Sequence, residues 1–305
     1  MLSGSDFLSV QDLEKREVLE LFRRAAAFKR KPLGTCLRHK TIAMLFAKPS
    51  TRTRVSFEVA ISHLGGRDIY LSAGDLQVSR GESLGDTARV LSRYVDGIVA
   101  RLFKHEDLLA LAEYAAIPVI NGLTDLLHPC QALADLFTIQ ETFRKLRGIR
   151  VAYIGDGNNN VTHSLMHACT LLGVDLTIAC PDGYQPLERV SREALQNARS
   201  SGAELRIVQD PREAVKGADV VYTDTWVSMG EEAEAREREQ AFRGYQVNSR
   251  LLGYARKQVK VMHDLPAHRG KEITSEVMDG PASLIFQQAE NRLHVEKALL
   301  SLIYG

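Results

Sequence analysis

No apolar run in the 305-residue chain comes near the ~20 residues that a membrane-spanning helix requires, and the first residues lack the charged-then-apolar order of a secretory signal. A soluble cytoplasmic protein is expected. Cysteine is scarce: Cys36, Cys130, Cys169 and Cys180 stand apart without a Cys-x-x-Cys pair, which argues against a zinc knuckle or a disulfide framework and for reduced thiols. An excess of one charge sign is also missing, with Lys+Arg 39 against Asp+Glu 38 and a net charge of +1, so no nucleic-acid footprint is spread over the surface. Low-complexity tracts are absent. What remains is enough chain for two α/β domains of roughly 150 residues each.

Ser50-Thr51-Arg52-Thr53-Arg54 is the most informative stretch. It follows the apolar run Thr41 to Phe46, read as a buried strand, and precedes Val55 to Leu64, which has helical spacing and ends in Gly65-Gly66. Hydroxyls, guanidinium groups and the free N–H groups of a helix start converge in such a loop, as a dianionic phosphate requires. The plainer reading is an N-capped helix with solvated arginines.

Along the chain, Ser9-Val10-Gln11-Asp12 reads as a capping box for a helix running to about Lys29, with Val18, Leu21, Phe22 and Ala25 on one face. Ser72 to Glu82 is a polar loop. Arg101 closes the strand Gly97 to Leu102, and at that end of a parallel sheet ligands bind. His128-Pro129-Cys130-Gln131 forms another strand-to-helix loop, feeding a helix from Ala132 to Leu146. The strand–helix alternation then restarts at Ile149, and Gly155-Asp156-Gly157-Asn158-Asn159-Asn160 leads into a helix from about Thr162. The Gly-x-Gly lacks the third glycine of a dinucleotide loop, which disfavours that reading against a turn or a polar clamp. Asp224 to Gly230 leaves the last strand of a second doubly wound sheet, and Glu231 to Gln240 carries a charge run expected to be a solvated helical face. His263 to Gly270 follows one more strand, and Ser283 to Tyr304 is mostly helical.

Taken together, the Ser50–Arg54 stretch, Arg101, His128-Pro129-Cys130-Gln131, Asp224-x-x-x-Ser228-Met229-Gly230 and His263-x-Leu265-Pro266-Ala267-His268-Arg269-Gly270 resemble the ornithine carbamoyltransferases over nearly the whole chain. The resemblance implies two Rossmann-like doubly wound domains with parallel sheets. Residues 1–143, joined by a C-terminal helix of about 286–305 that returns to the first domain, would bind carbamoyl phosphate, and 144–285 would bind L-ornithine. It implies no cofactor, no metal, no nucleic acid and no membrane, and a homotrimer or a multiple of trimers. Carried over, Ser50, Thr51, Arg52 and Thr53 hold the phosphate and Arg101, His128 and Gln131 the carbamoyl end. Gln77 reaches in from a neighbouring subunit, and Leu265 and Arg292 complete the carbamoyl phosphate contacts. Asn160, or Asn159, and Met229 take the ornithine carboxylate, and Asp224 with Ser228 its α-amino group.

The implied reaction is attack of a neutral δ-amine on the carbamoyl carbon, with Thr53, Arg101 and His128 stabilising the oxyanion, typically by ~3–4 kcal/mol per donor. Arg52 neutralises the leaving phosphate; Arg54 does so too or else supports the loop. Asp264 stands where the family usually has cysteine. It is expected to bind the δ-ammonium and take its proton, the alternative being that it turns away to pair with Arg269 or His268. Three other readings compete: a carbamoyltransferase for another amine, such as putrescine or a modified ornithine, a non-catalytic scaffold on the same fold and, more weakly, an NAD-dependent oxidoreductase.

Overall fold

The computed structural model describes every residue except 1, 73, 76–80 and 228–231. The chain divides into two compact units, one made of residues 1–134 with 290–305 and the other of residues 135–289.

In the first unit, strands β1 (Thr41–Phe46), β2 (Arg67–Ser72), β3 (Gly97–Arg101) and β4 (Val119–Leu123) alternate with helices α2 (Thr51–His63), α3 (Leu84–Leu91) and α4 (His105–Tyr114), after an N-terminal helix α1 (Lys15–Arg30). The sheet is parallel in the order β2-β1-β3-β4. β1, β3 and β4 are nearly continuous apolar runs because helices cover both faces of such a sheet, and Ile42, Met44, Leu45, Ile98 and Ile120 are fully buried. α1 buries Val18, Leu21, Phe22 and Ala25, the face expected from its spacing. The capping box at Ser9 closes only a 3-10 turn, Val10–Asp12, and α1 begins later because Glu14 forms a second box with Glu17.

Helix α5 (Pro129–Phe143) starts three residues earlier than expected. Proline at the first helical position has its φ preset and its missing N–H costs nothing there, so Gln131 lies in the first turn rather than in a loop.

The second unit holds β5 (Arg150–Ile154), α6 (Asn160–Leu172), β6 (Asp175–Ala179), α7 (Glu188–Ser201), β7 (Leu205–Val208), α8 (Pro211–Val215), β8 (Val220–Thr223), α9 (Ala235–Ala241), α10 (Ser249–Leu252), β9 (Lys260–Met262) and α11 (Ser275–Met278). Its sheet is parallel in the order β7-β6-β5-β8-β9. Ala152, Ile154, Val221, Val261 and Ile273 form its core. The last helix, α12 (Ile285–Tyr304), contributes residues 290–305 to the first unit, as the sequence led us to expect.

Candidate active site

In the first sheet the connections from β1 and β3 leave in opposite directions, which makes the gap between them the switch point where open parallel sheets bind ligands. The loop after β1 ends at Ser50, whose Oγ accepts the Thr53 N–H at 3.1 Å and caps α2. A capped helix start of this kind is suited to an anion.

Arg101 closes β3, and it is buried. The β3–β4 register slips between Ala100 and Arg101, which pair with Asn121 and Leu123, so Gly122 is extra on β4. Such an irregularity at a strand end re-aims the next side chain. A Cβ on Gly122 would lie 3.2 Å from the Ala100 carbonyl oxygen, which explains glycine there.

Thr53 is the hub. Its Oγ1 accepts from Arg101 Nη1 at 3.4 Å and from Arg292 Nη2 at 3.0 Å. Arg292 Nη1 donates to Gln131 Oε1 at 3.1 Å and makes a longer contact of 3.4 Å with His128 Nε2. Burial holds the His128 imidazole well below its ordinary pKa, and the charges of Arg292, Arg101 and Arg52 push it further the same way. His128 is therefore neutral at physiological pH, free to exchange hydrogen bonds without adding a fourth positive charge. Arg54 is engaged with α2 and β2: its Nε donates to Glu58 at 2.7 Å, and its guanidinium lies 3.7 Å over the Tyr70 ring.

In the second sheet the switch point lies between β5 and β8. Asp224 follows β8, and its Oδ1 accepts the Thr225 N–H at 2.6 Å while Oδ2 accepts from Asn159 Nδ2 at 3.2 Å. Burial raises the Asp224 carboxyl well above the ordinary range, and the charge of Asp264 and a hydrogen bond with it raise it further. A carboxyl buried in this way ionises at low cost only with a cation beside it.

Asn159 caps α6 through Thr162 N–H at 2.8 Å and also donates to the Tyr153 hydroxyl at 3.1 Å. Asn160 is half-buried in the first turn of α6. Gly157 is explained without a nucleotide: a Cβ there would stand 2.6 Å from the Tyr184 carbonyl oxygen.

The loop after β9 is held from below. His263 Nδ1 accepts the Leu265 N–H at 2.9 Å, which leaves the proton on Nε2 to be donated to Glu272 Oε1 at 3.3 Å. Leu265 takes a φ of 65°, uncommon for a branched side chain and tolerated here because this bond fixes the turn. Asp264 does not turn away to Arg269 or His268. Arg269 is paired with Asp279 at 2.5 and 2.9 Å, and the His268 ring meets the Thr225 hydroxyl at 3.0 Å. Among the described residues, Asp224, His263 and Asp264 could bring ligand atoms within 4.8 Å of one another around a metal ion. Both nitrogens of His263 are already engaged, so a cation would have to break the bond to Leu265 or to Glu272.

Gln77, Ser228 and Met229 lie outside the described residues. Sequence reasoning missed three supports. Glu296, one turn beyond Arg292, accepts from its Nη2 at 3.1 Å, and its i, i+4 spacing was a visible signal. Glu272 gave none. Arg238 corrects the reading of the charge run as a solvated face: it is buried, bonded to Asp156, and donates to the Trp226 carbonyl at 2.6 Å, because α9 packs this one side chain under the loop after β8.

Guanidinium groups gathered near a helix start on one doubly wound unit, and paired carboxylates on the other, are the arrangement that a transferase for one anionic and one amine substrate would use. Residues 5–141 match the family profile described as "Aspartate/ornithine carbamoyltransferase, carbamoyl-P binding domain", and residues 147–303 match that of the "Asp/Orn binding domain". The chain belongs to the aspartate/ornithine carbamoyltransferase family. It is 54% identical over 309 aligned residues to a Pyrococcus furiosus protein named "Ornithine carbamoyltransferase, anabolic", covering 100% of this chain and 98% of that one. A solved structure of the ornithine carbamoyltransferase from Pyrococcus furiosus superposes with a TM-score of 0.96 at 54% identity, covering 100% and 98% of the two chains. An acetylornithine transcarbamylase complexed with acetylcitrulline superposes with a TM-score of 0.90 at 35% identity, covering 99% of each chain.

Proposed function

We propose that this enzyme transfers the carbamoyl group of carbamoyl phosphate to the δ-amine of L-ornithine, giving L-citrulline and phosphate, in the direction that serves arginine biosynthesis. The observation that carries this reading is the convergence of Arg101 and Arg292 on the Thr53 hydroxyl, at 3.4 and 3.0 Å, beside a capped helix start. Carbamoyl phosphate offers what that cluster would bind: a phosphate for the helix start with Ser50, Thr51, Arg52 and Thr53, and a carbonyl and amide for Arg101, His128, Gln131, Arg292 and the Leu265 backbone. The 1–143 segment with about 286–305 is the proposed carbamoyl phosphate domain, and 144–285 the ornithine domain.

In the proposed mechanism the neutral δ-amine attacks the carbamoyl carbon, and the C–N bond forms as negative charge gathers on the carbonyl oxygen. Arg101, Thr53 and His128 are donors in place for that charge before it appears, which avoids reorganisation during reaction. The C–O bond to phosphate then breaks, with Arg52 balancing the departing charge. The proton lost by the amine goes to Asp264. Asp224 and Ser228 would hold the α-ammonium, and Asn160 and the Met229 backbone the carboxylate.

The family relative that handles acetylated ornithine makes an acylated substrate the second reading. Asp224 weighs against it, because an amide in place of the α-ammonium would leave that carboxyl without a cation. A homotrimer, with Gln77 supplied by a neighbouring subunit, and a cytoplasmic site of action complete the proposal; light scattering tests the first.

The deciding experiment offers carbamoyl phosphate with ornithine, N-acetylornithine, putrescine or aspartate and measures each carbamoylated product. Citrulline formation at the highest kcat/KM supports the proposal. Preference for another amine refutes it, and carbamoyl phosphate binding with no product from any amine favours a non-catalytic scaffold.

A further inference from the structure

Glu296 is fully buried on α12. One oxygen, Oε1, accepts from Arg292 Nη2 at 3.1 Å; the other, Oε2, is buried, and the Ser56 hydroxyl also bears on the carboxyl. The same Arg292 nitrogen also donates to Thr53, the hub of the anion pocket. A carboxylate therefore sits directly behind a guanidinium that faces the place of an anionic ligand, and each negative charge competes for the same positive one.

Groups on three helices face this pair. α12 supplies Arg292, and α5 supplies Cys130, whose thiol burial raises and keeps neutral. His128, kept neutral by burial and the surrounding arginines, stands before α5. α2 supplies the Ser56 hydroxyl, while Arg52 and Arg101 bear on His128. Glu296 is thus the one carboxylate among these groups.

We propose that Glu296 is a positioning residue for Arg292 and takes up a proton when the phosphate-bearing substrate binds. Unprotonated, it holds the guanidinium and offsets its charge; protonated, it leaves that charge to the ligand. Burial raises its carboxyl to about 7, against the opposing pull of Arg292, so the exchange falls in the physiological range. An arriving dianion raises it again, and a one-unit rise would mean uptake of about half a proton near neutral pH and about a tenfold loss of affinity as pH climbs past both values.

This inference rests on the carbamoyl phosphate reading of the pocket, but its test does not depend on turnover. Phosphonoacetamide, a stable methylene analogue of carbamoyl phosphate, is titrated calorimetrically into the full chain and into Glu296→Gln, near neutral pH, in two buffers of different ionisation enthalpy. The parent is expected to take up about half a proton more than the variant, because the ligand's own ionisation cancels in the difference. A second uncharged variant, Glu296→Met, should behave like Glu296→Gln if the latter folds poorly. Equal proton uptake in parent and variants overturns the proposal, and so does failure of the parent to bind the analogue. A proton difference that persists in a protein making no citrulline would support this role while refuting the proposed reaction.

Discussion

The Thr53 hydroxyl accepts a hydrogen bond from Arg292 Nη2 at 3.0 Å across 239 residues of sequence. Replacing Thr53 with valine keeps the shape of the side chain but leaves two guanidinium groups without their common acceptor. Thr53→Val is expected to lower kcat/KM for citrulline formation by about 10²–10³-fold, the usual loss when one oxyanion donor is removed. Steady-state kinetics with carbamoyl phosphate varied at saturating ornithine checks it.

Asp264 should matter to the chemical step. Asp264→Asn cannot accept the amine proton and should lose about 10²–10⁴-fold in kcat. Asp264→Cys should retain more activity than Asp264→Asn, since a thiolate can serve as acceptor. Profiles of kcat against pH for all three proteins decide, and matching rates and limbs would remove Asp264 from proton transfer.

Stability should also depend on Glu296. Its folded pKa is raised from 4.5 to about 7, so the native state holds the proton more tightly than the unfolded chain. That contribution is fully present below pH 4.5 and is lost as pH rises through about 7. The loss amounts to roughly 3 kcal/mol, so Glu296→Gln should gain on the parent by up to about that much between pH 4.5 and pH 8. Urea denaturation at several pH values measures the difference, and a gap that does not change with pH would contradict it.

Arg238 and Asp156 form a buried pair. Arg238→Met strands a carboxylate under the loop after β8 and should cost about 3–5 kcal/mol, whereas Arg238→Met combined with Asp156→Asn should recover much of it. Denaturant titration of the parent, the two single variants and the double variant tests the coupling.

Local pattern revealed most of the architecture. β1 is an apolar run bounded by turn-forming residues, and α2 follows a serine cap, so both the strand and the loop between them were legible. Arg101 could be placed at a strand end, but its aim could not, because the register slip opposite Gly122 depends on pairing with a distant strand. The same holds for Arg238, whose neighbours in sequence are solvated while it alone is drawn inward by Asp156, 82 residues earlier. The charge run looked uniform because burial of one member is a tertiary event. Proline at the first position of α5 opens the helix three residues before the periodic pattern from Ala132.

The unit that supplies the anion pocket is interrupted: residues 135–289 form the other unit before residues 290–305 complete it. At about 5–20 residues per second of translation, Arg292 is made roughly 10–50 s after Thr53. During that interval the nascent chain can finish its amine-binding half while the pocket for the phosphate-bearing substrate still lacks a cation. A ribosome that stalls short of the last helix would therefore release a product with a folded second sheet and an unfinished first one, which gives quality-control proteases a defined difference to recognise.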